Sequence, residues 1–405
     1  MITAKTIEIV KSTAPVLAAH GEQITTVFYK RMFKNHPELK DIFNMTHQKQ
    51  GTQPKVLANA VYQYAQHIDR LEVLGAAVES IAQKHVSLAI TPEMYPIVGE
   101  NLLAAIGEVL GEAATPEIVE AWTEAYQALA DILINREEEL YVDGEESTGG
   151  FRGKKEFEVI KKVQESSVIT SFYLKRKDGT AIPEFKSGQY VSIMLDIPNT
   201  DHKHSRNYSL SDCNCKDYLR ISVKREAATP EGIVSNYLHK NIGEGDSLWI
   251  GMPAGEFILE EGEQPVVLLA GGVGITPLMS MYKHLVNKTD RTVSFVQCAL
   301  NSEMHAFKNE IKEHSNNNVT AITVYDQPLE ADALGESHDF EGYLTLDILK
   351  TIPNLKDSAF YFCGPKPFMA ATLNLLKQLE IEDDNIHYEF FGPAEELMLM
   401  EEAAV

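Results

Sequence analysis

The chain has 405 residues, a formal net charge of -23 at pH 7, 44% hydrophobic residues and 23% charged residues. That length exceeds what one ordinary core holds and predicts two or three domains, while the acidic balance argues against nucleic acid or an anionic membrane as partner. The four cysteines, Cys213, Cys215, Cys298 and Cys363, include no Cys-x-x-Cys, speak against a zinc site or a disulfide framework, and read as the reduced thiols of a cytoplasmic protein. Met1 to Lys11 contains no signal-peptide core. No apolar run reaches the roughly 18 residues of a spanning helix.

Residues 1–141 carry helix-period patterns. From Leu74 the apolar positions step through Val78 and Ile81 to Leu88. Thr91-Pro92-Glu93 and Thr115-Pro116-Glu117 each read as a helix start, with an N-cap threonine, proline at the first helical position and an acid in the first turn. The second opens a long helix over 117–141 with the stripe Trp122, Tyr126, Leu129 and Leu133. The polar, glycine-rich run from Asp143 to Gly150 marks a linker, taken as 142–152. Strand alternation follows in Val191, Ile193, Leu195, Ile197 and in Leu219, Ile221, Val223, with Lys177-Asp178-Gly179-Thr180 as a hairpin turn. This predicts an antiparallel β-barrel over 153–262. From Pro265 a buried-strand run, glycines and a helix begin an alternation that continues to Glu389, predicting a parallel-sheet α/β domain over 263–405. Glu395 to Val405 reads as a frayed helix.

His85 stands on the apolar stripe of its helix, four residues after Ile81 and three before Leu88. It is either a satisfied core histidine or a heme ligand, since neutral imidazole is the usual proximal ligand of globin iron. Tyr95 opens the next helix, and Glu137 follows Leu133 by four on the last stripe. Alone they are a core-edge tyrosine and part of a solvated acidic run. Beside a ligating histidine they supply the acceptor that its other ring N–H needs. Tyr29, Phe43, Gln53 and Leu57 form a second set: singly each reads as a core or surface residue, but together with His85 they offer a hydroxyl and an amide suited to an iron-bound ligand, a ring to wedge the heme, and a leucine one turn from the glutamine.

Arg206-Asn207-Tyr208-Ser209 resembles the flavin motif of the ferredoxin-reductase superfamily, which implies a guanidinium that can pair with pyrophosphate, a ring for the isoalloxazine and a hydroxyl for a flavin heteroatom; the four residues alone are a weak signal. Tyr190 precedes it in Gly188-Gln189-Tyr190, and Lys224 follows in Val223-Lys224-Arg225-Glu226. Gly232-Ile233-Val234-Ser235 opens a helix whose free N–H groups suit phosphate; on the bland reading Lys224 and Arg225 are a solvated strand end and Gly232 is a turn. Gly271-Gly272-Val273-Gly274-Ile275-Thr276-Pro277 joins a strand to a helix, with Thr276 as expected N-cap and Pro277 in the place of a third glycine. Cys363-Gly364-Pro365 is a second turn of this kind.

Four segments bring a resemblance: His36-Pro37-Glu38-Leu39 to Met45, Lys84-His85, Val98 to Leu103 and Ile134-Asn135-Arg136-Glu137 resemble the globin domain of bacterial and fungal flavohemoglobins. The Arg206 motif, the Cys-Gly-Pro turn and Tyr388-Glu389-Phe390-Phe391-Gly392-Pro393 resemble the ferredoxin-reductase superfamily. The resemblance covers residues 1–393. It implies a multidomain chain, an all-α globin fold followed by a ferredoxin-reductase-like module of FAD barrel and NAD domain. It implies heme b on His85, with Tyr95 and Glu137 as the histidine's partners, Tyr29 and Gln53 on the distal side, and Lys84 near the heme edge. FAD and NAD(P)H would take Tyr190, Arg206 to Ser209, Lys224, Gly232, Val234, Ser235, Gly271 to Thr276, Cys363 to Pro365 and Glu389 to Pro393, with Phe391 covering the flavin. The implied activity is nitric oxide dioxygenase, with oxygen and nitric oxide as substrates, and a monomer is the default. A heme-based oxygen or nitric oxide sensor or store, and a flavin-driven reductase with an accessory globin, stay open beside it. Ala299-Leu300-Asn301-Ser302-Glu303 offers no arginine for a 2′-phosphate and favours NADH.

Overall fold

The structure is a computed structural model, describing residues 2–313 and 318–392. Its residues group into two compact units, Met1–Lys154 with Ser192–Arg206, and Lys155–Val191 with Asn207–Val405.

The helices α1 (Ala4–Asn35), α2 (Met45–Gln50), α3 (Thr52–His67), α4 (Gly75–Leu88), α5 (Met94–Leu110) and α6 (Pro116–Glu146) lie in the first unit. Helix α1 packs against α3, α5 and α6, and α4 packs against α6. Its core gathers Val10, Phe28, Met32, Ile106 and Trp122, each at most 4% exposed, and the Trp122 indole donates to the Thr13 hydroxyl at 3.1 Å. Thr115 caps α6 as expected, accepting from the Ile118 N–H.

Two helix boundaries differ from expectation. Thr91 to Glu93 forms a turn, closed by the Met94 N–H on the Thr91 carbonyl, and α5 begins after it. Helix α6 runs to Glu146, through residues read as linker. Arg152 bonds Glu138 and Glu145 from beyond its end, and the Ser147 hydroxyl donates to the Gly144 carbonyl, so the polar segment has side-chain support as a helix end.

Next come β1 (Lys154–Gln164), β2 (Ile169–Arg176), β3 (Tyr190–Leu195), β4 (His204–Ser209), β5 (Leu219–Lys224), α7 (Ile233–Asn241) and β6 (Ser247–Gly251). The strands follow the order β4-β3-β6-β1-β2-β5. A bridge from Leu210, just past β4, to Ile221 on β5 joins the ends of this order, so the sheet curls toward a barrel. Lys177 to Gly179 does turn the chain, but β2 pairs with β1 and β5 rather than with the strand that follows, so the turn closes no hairpin. Cys213 and Cys215, expected as free thiols, are bonded to each other: the loop after β4 brings their Cα atoms to 5.2 Å, within disulfide reach.

The last part alternates β7 (Val266–Gly271), α8 (Ile275–Lys288), β8 (Val293–Ala299), α9 (Lys308–Glu313), β9 (Val319–Tyr325), β10 (Phe340–Glu341), α10 (Leu346–Leu349), β11 (Ala359–Cys363), α11 (Lys366–Gln378) and β12 (Ile386–Glu389). The sheet is parallel in the order β10-β9-β8-β7-β11-β12. Strand β7 reads as an unbroken apolar run because both of its faces are covered. Val266, Leu268 and Ala270 pack with α8, and Val267 and Leu269 with α10 and α11. Arg220 on β5, 2% exposed, donates to Glu310 on α9 at 2.7 Å and to the Ser211 carbonyl, an ionic tie inside the second unit. Among the described residues no helix is long and apolar enough to cross a membrane.

Candidate functional site

The first constellation lies in the helical unit. His85 is in the last turn of α4, and its side chain is 30% exposed. Its Nδ1 lies 2.7 Å from Glu137 Oε1 and 3.1 Å from the Tyr95 hydroxyl. The Tyr95 hydroxyl also donates to Glu137 Oε1. One carboxylate oxygen thus takes both, and at 2% exposure Glu137 has little water to compete with them. Desolvation, followed by the Glu137 bond, holds the Tyr95 phenol far above its ordinary pKa, so it is a donor at any working pH. The supports are packed in turn. Tyr126 donates to the Tyr95 carbonyl at 2.6 Å, and its ring lies against Gly99, where a Cβ would come within 2.5 Å of it. Tyr141 donates to the Ile90 carbonyl at 2.6 Å. With Nδ1 committed, Nε2 is the nitrogen left for a metal. Lys84 is exposed on the same turn.

The other set gathers on α1, on the segment before α2 and on the first turns of α3. The Tyr29 ring meets Phe43 edge-on at 5.8 Å and stacks with Phe33 at 5.9 Å, while Phe43 and Leu57 line the same core. Burial raises the Tyr29 pKa, and the Gln48 side chain lies beside its hydroxyl. Gln48 was not singled out from sequence: it sits on a six-residue helix without apolar periodicity. Gln53, one residue into α3 from Thr52, has its Oε1 buried without a partner among the described residues, as is Gln48 Nε2.

In the second constellation, β4 carries Arg206, Asn207, Tyr208 and Ser209 on consecutive positions, with the Arg206 guanidinium donating to the Ser205 carbonyl at 2.7 Å. Tyr190 opens β3, with its ring against Gly255, whose φ of +114° and missing Cβ allow that approach. Lys224 ends β5 and pairs loosely with Glu226 at 3.5 Å. Gly232 is the N-cap of α7, so Ile233, Val234 and Ser235 fill its first turn, where the amides lack helical partners.

The two glycine turns meet. Strands β7 and β11 are neighbours and end together, with Ala270 opposite Cys363. A Cβ on Gly274 would fall 2.2 Å from the Cys363 carbonyl oxygen, and one on Gly271 or Gly364 would strike the Phe368 ring. Here the sheet order reverses, since the chain proceeds from β7 to β8, β9 and β10 on one side and returns as β11 and β12 on the other. Such a switch point is where open parallel sheets bind nucleotides. Gly272, Val273 and Gly274 form a single 3-10 turn, and α8 starts at Ile275 with Gly274 as N-cap. The expected cap, Thr276, lies inside the helix, its hydroxyl donating to the Val273 carbonyl, because the tight turn carries the chain into helical geometry two residues sooner. Pro365 is the N-cap of α11. Burial pushes the Glu389 carboxyl up to about 8, with Oε2 buried and unpartnered among the described residues. Phe390 packs into the sheet core, Phe391 is 46% exposed, and Gly392 lies against the Phe390 ring. Pro393 and the acidic tail from Glu395 fall outside the described residues.

Comparison with known proteins gives this geometry its context. Residues 26–133 match a globin family model, 156–258 an oxidoreductase FAD-binding domain and 268–374 an oxidoreductase NAD-binding domain. The chain is 49% identical over 400 residues to a flavohemoprotein of Halalkalibacterium halodurans, covering 97% of each chain. It is 48% identical over 407 residues to one of Rhodopirellula baltica, covering 98% of this chain and 100% of that one. A flavohemoglobin of Malassezia yamatoensis, solved with bound FAD and heme, superposes with a TM-score of 0.83 at 29% identity, over 96% of this chain and 100% of that one. The FAD/NAD-binding domain of a nitric oxide dioxygenase from Vibrio cholerae matches 60% of this chain and 100% of its own length, with a TM-score of 0.56 and 33% identity.

The residues present fit these groups. His85 offers an imidazole nitrogen beyond the committed Nδ1, Gln48 and Gln53 present buried polar atoms without partners among the described residues, and Gly272, with nothing within 4 Å of a Cβ position, leaves backbone open to a pyrophosphate.

Proposed function

The chain belongs to the flavohemoprotein family, and from that premise we propose that it converts nitric oxide and dioxygen to nitrate with electrons from NAD(P)H, NADH being favoured. When bound, heme and FAD supply the redox chemistry, and the protein supplies position and electrostatics. The observation that carries the reading is the bond between His85 Nδ1 and the buried Glu137 carboxylate. A carboxylate on the far nitrogen fixes the tautomer and makes the ligating nitrogen more basic. A stronger electron donor to iron suits oxygen activation better than reversible storage, which sets this reading above a sensor or store.

On the other side, Tyr29 keeps its proton because burial raises its pKa, and it donates to a ligand held at the site. Gln48 and Gln53 supply further amide contacts. Arg206, Tyr208, Ser209 and Tyr190 hold FAD, with the α7 N-terminus at Gly232 taking its pyrophosphate. The paired glycine turns take the nicotinamide dinucleotide. Each nitric oxide and dioxygen take up one electron to become nitrate, so one NAD(P)H supports a pair of such events. The Vibrio cholerae domain, named for this activity, supports the assignment.

The test is His85→Ala. Reduction of FAD by NADH persists, and nitrate formation is lost with the heme absorbance. Loss of both activities together, with FAD still bound, contradicts the assignment of the two chemistries to separate modules.

A further inference from the structure

A cavity of ≈ 380 Å³ opens in the second unit beside the C-terminal end of α7 and the β1–β2 turn. Lys162, Arg225, His239 and Lys240 line it, with the hydroxyls of Ser167 and Thr170, and no acidic side chain is among its lining residues. This is a cationic hollow in a chain where Asp and Glu outnumber Lys and Arg 59 to 36.

Its charges are built in. Lys162 Nζ donates to the carbonyls of Leu238 at 3.3 Å, His239 at 2.8 Å and Ile242 at 2.5 Å. The unpaired carbonyls at the end of α7 are therefore already compensated, and the negative end of the helix does not oppose an anion. His239 Nε2 donates to the Val223 carbonyl at 2.8 Å, so in the neutral ring Nδ1 accepts from the Thr170 hydroxyl at 3.3 Å. Burial, with the charges of Lys162 and Arg225, holds the His239 pKa below its ordinary value. Cations press on one another here. The Arg225 backbone N–H is anchored on the Val168 carbonyl at 2.7 Å, and among the described residues the exposed Lys240 has only a distant pair with Glu231 at 3.9 Å.

The cavity is separate from the proposed flavin pyrophosphate site. His239 and Lys240 follow the N-cap Gly232 by seven and eight residues, about 10–12 Å along the helix. Its rim touches the loop after β8: the Ser167 N–H donates to the Glu303 carbonyl at 2.8 Å, and the Ser167 hydroxyl to Met304 Sδ at 3.2 Å. In doubly wound folds the adenosine end of a dinucleotide lies near that strand end.

We propose that this cavity binds a phosphate group, gripped by the Arg225 guanidinium and the Lys240 ammonium in the field of Lys162. The phosphate is either free or the 2′-phosphate of a nicotinamide dinucleotide, for which the loop at 300–303 offers no cation of its own.

The test uses full-length protein saturated with heme and FAD. Inorganic phosphate is titrated calorimetrically at constant ionic strength, with chloride as control, into the native chain and into Lys240→Glu and Ser167→Asp. Both positions are exposed, and heme content, FAD content and melting temperature confirm the fold. Saturable phosphate binding is expected in the native chain, weakened at least tenfold in each variant. Steady-state assays then separate the sources. Competition of phosphate with NADPH but not NADH, and a raised KM for NADPH alone in Lys240→Glu, identify the 2′-phosphate. Unchanged KM for both donors identifies free phosphate. Absence of saturable binding in the native chain, equal binding in the variants, or binding seen only when FAD is removed overturns the proposal.

Discussion

Glu137 is the side chain on which the proposed chemistry rests most heavily. It is 2% exposed, and its Oε1 serves both His85 and Tyr95. The amide in Glu137→Gln keeps the shape and a neutral acceptor but removes the negative charge. NADH-driven nitrate formation is expected to fall about 10–100-fold, the usual range for a lost outer-shell partner of a metal ligand, with heme and FAD content retained. An unchanged rate would show that the carboxylate only shapes the core. His305 makes a separate point about pH. It is 6% exposed, its Nδ1 lies 2.8 Å from the Tyr325 hydroxyl, and burial together with Lys308 and Lys312 pulls its pKa down to about 4. Between about 4 and its ordinary value of 6.5 the folded chain binds fewer protons here than the unfolded chain. Its contribution to stability is present above 6.5 and is lost as pH falls through 4, a loss on the order of 3 kcal/mol. Denaturant melts at pH 4.5 and 7 should show a smaller gap for His305→Gln than for the native chain.

At the scale of elements, the meeting of the two glycine turns is the most restrictive packing in the second unit. A methyl group on Gly274 would stand 2.2 Å from the Cys363 carbonyl oxygen, backbone that cannot swing aside. Gly274→Ala should push the β7–α8 and β11–α11 turns apart and raise the KM for NADH at least tenfold, leaving heme absorbance unchanged. An unaltered KM would place the dinucleotide elsewhere. The glycines, Cys363 and the strand runs were legible because close approach and full burial leave strong marks in composition. The start of α8 was less so, because a 3-10 turn of Gly272 to Gly274 leads into the helix and displaces the expected threonine cap. Helix α6 outran its predicted end because Arg152 reaches back to Glu138 and Glu145, a contact absent from local propensity. Gln48 escaped notice for the same reason: only the folded chain brings it to Tyr29. The Cys213–Cys215 bond depended on the path of one loop, which spacing alone does not reveal.

Across the whole molecule, three kinds of architecture follow one another in a single chain: a helical bundle, a curled antiparallel sheet and a parallel sheet. The change from helical to alternating periodicity, and then to strand–helix alternation, made that order readable. That order sets a globin, an FAD-binding domain and an NAD-binding domain in one chain, the three parts on which the proposed nitrate reaction draws. The most direct measurement follows NADH consumption and nitrate formation together, in heme- and FAD-loaded full-length protein given nitric oxide and oxygen. The account predicts rapid turnover, with each NADH consumed matched by a pair of nitrates. NADH oxidation that proceeds without nitrate, in protein whose heme and FAD are both reduced, would contradict it.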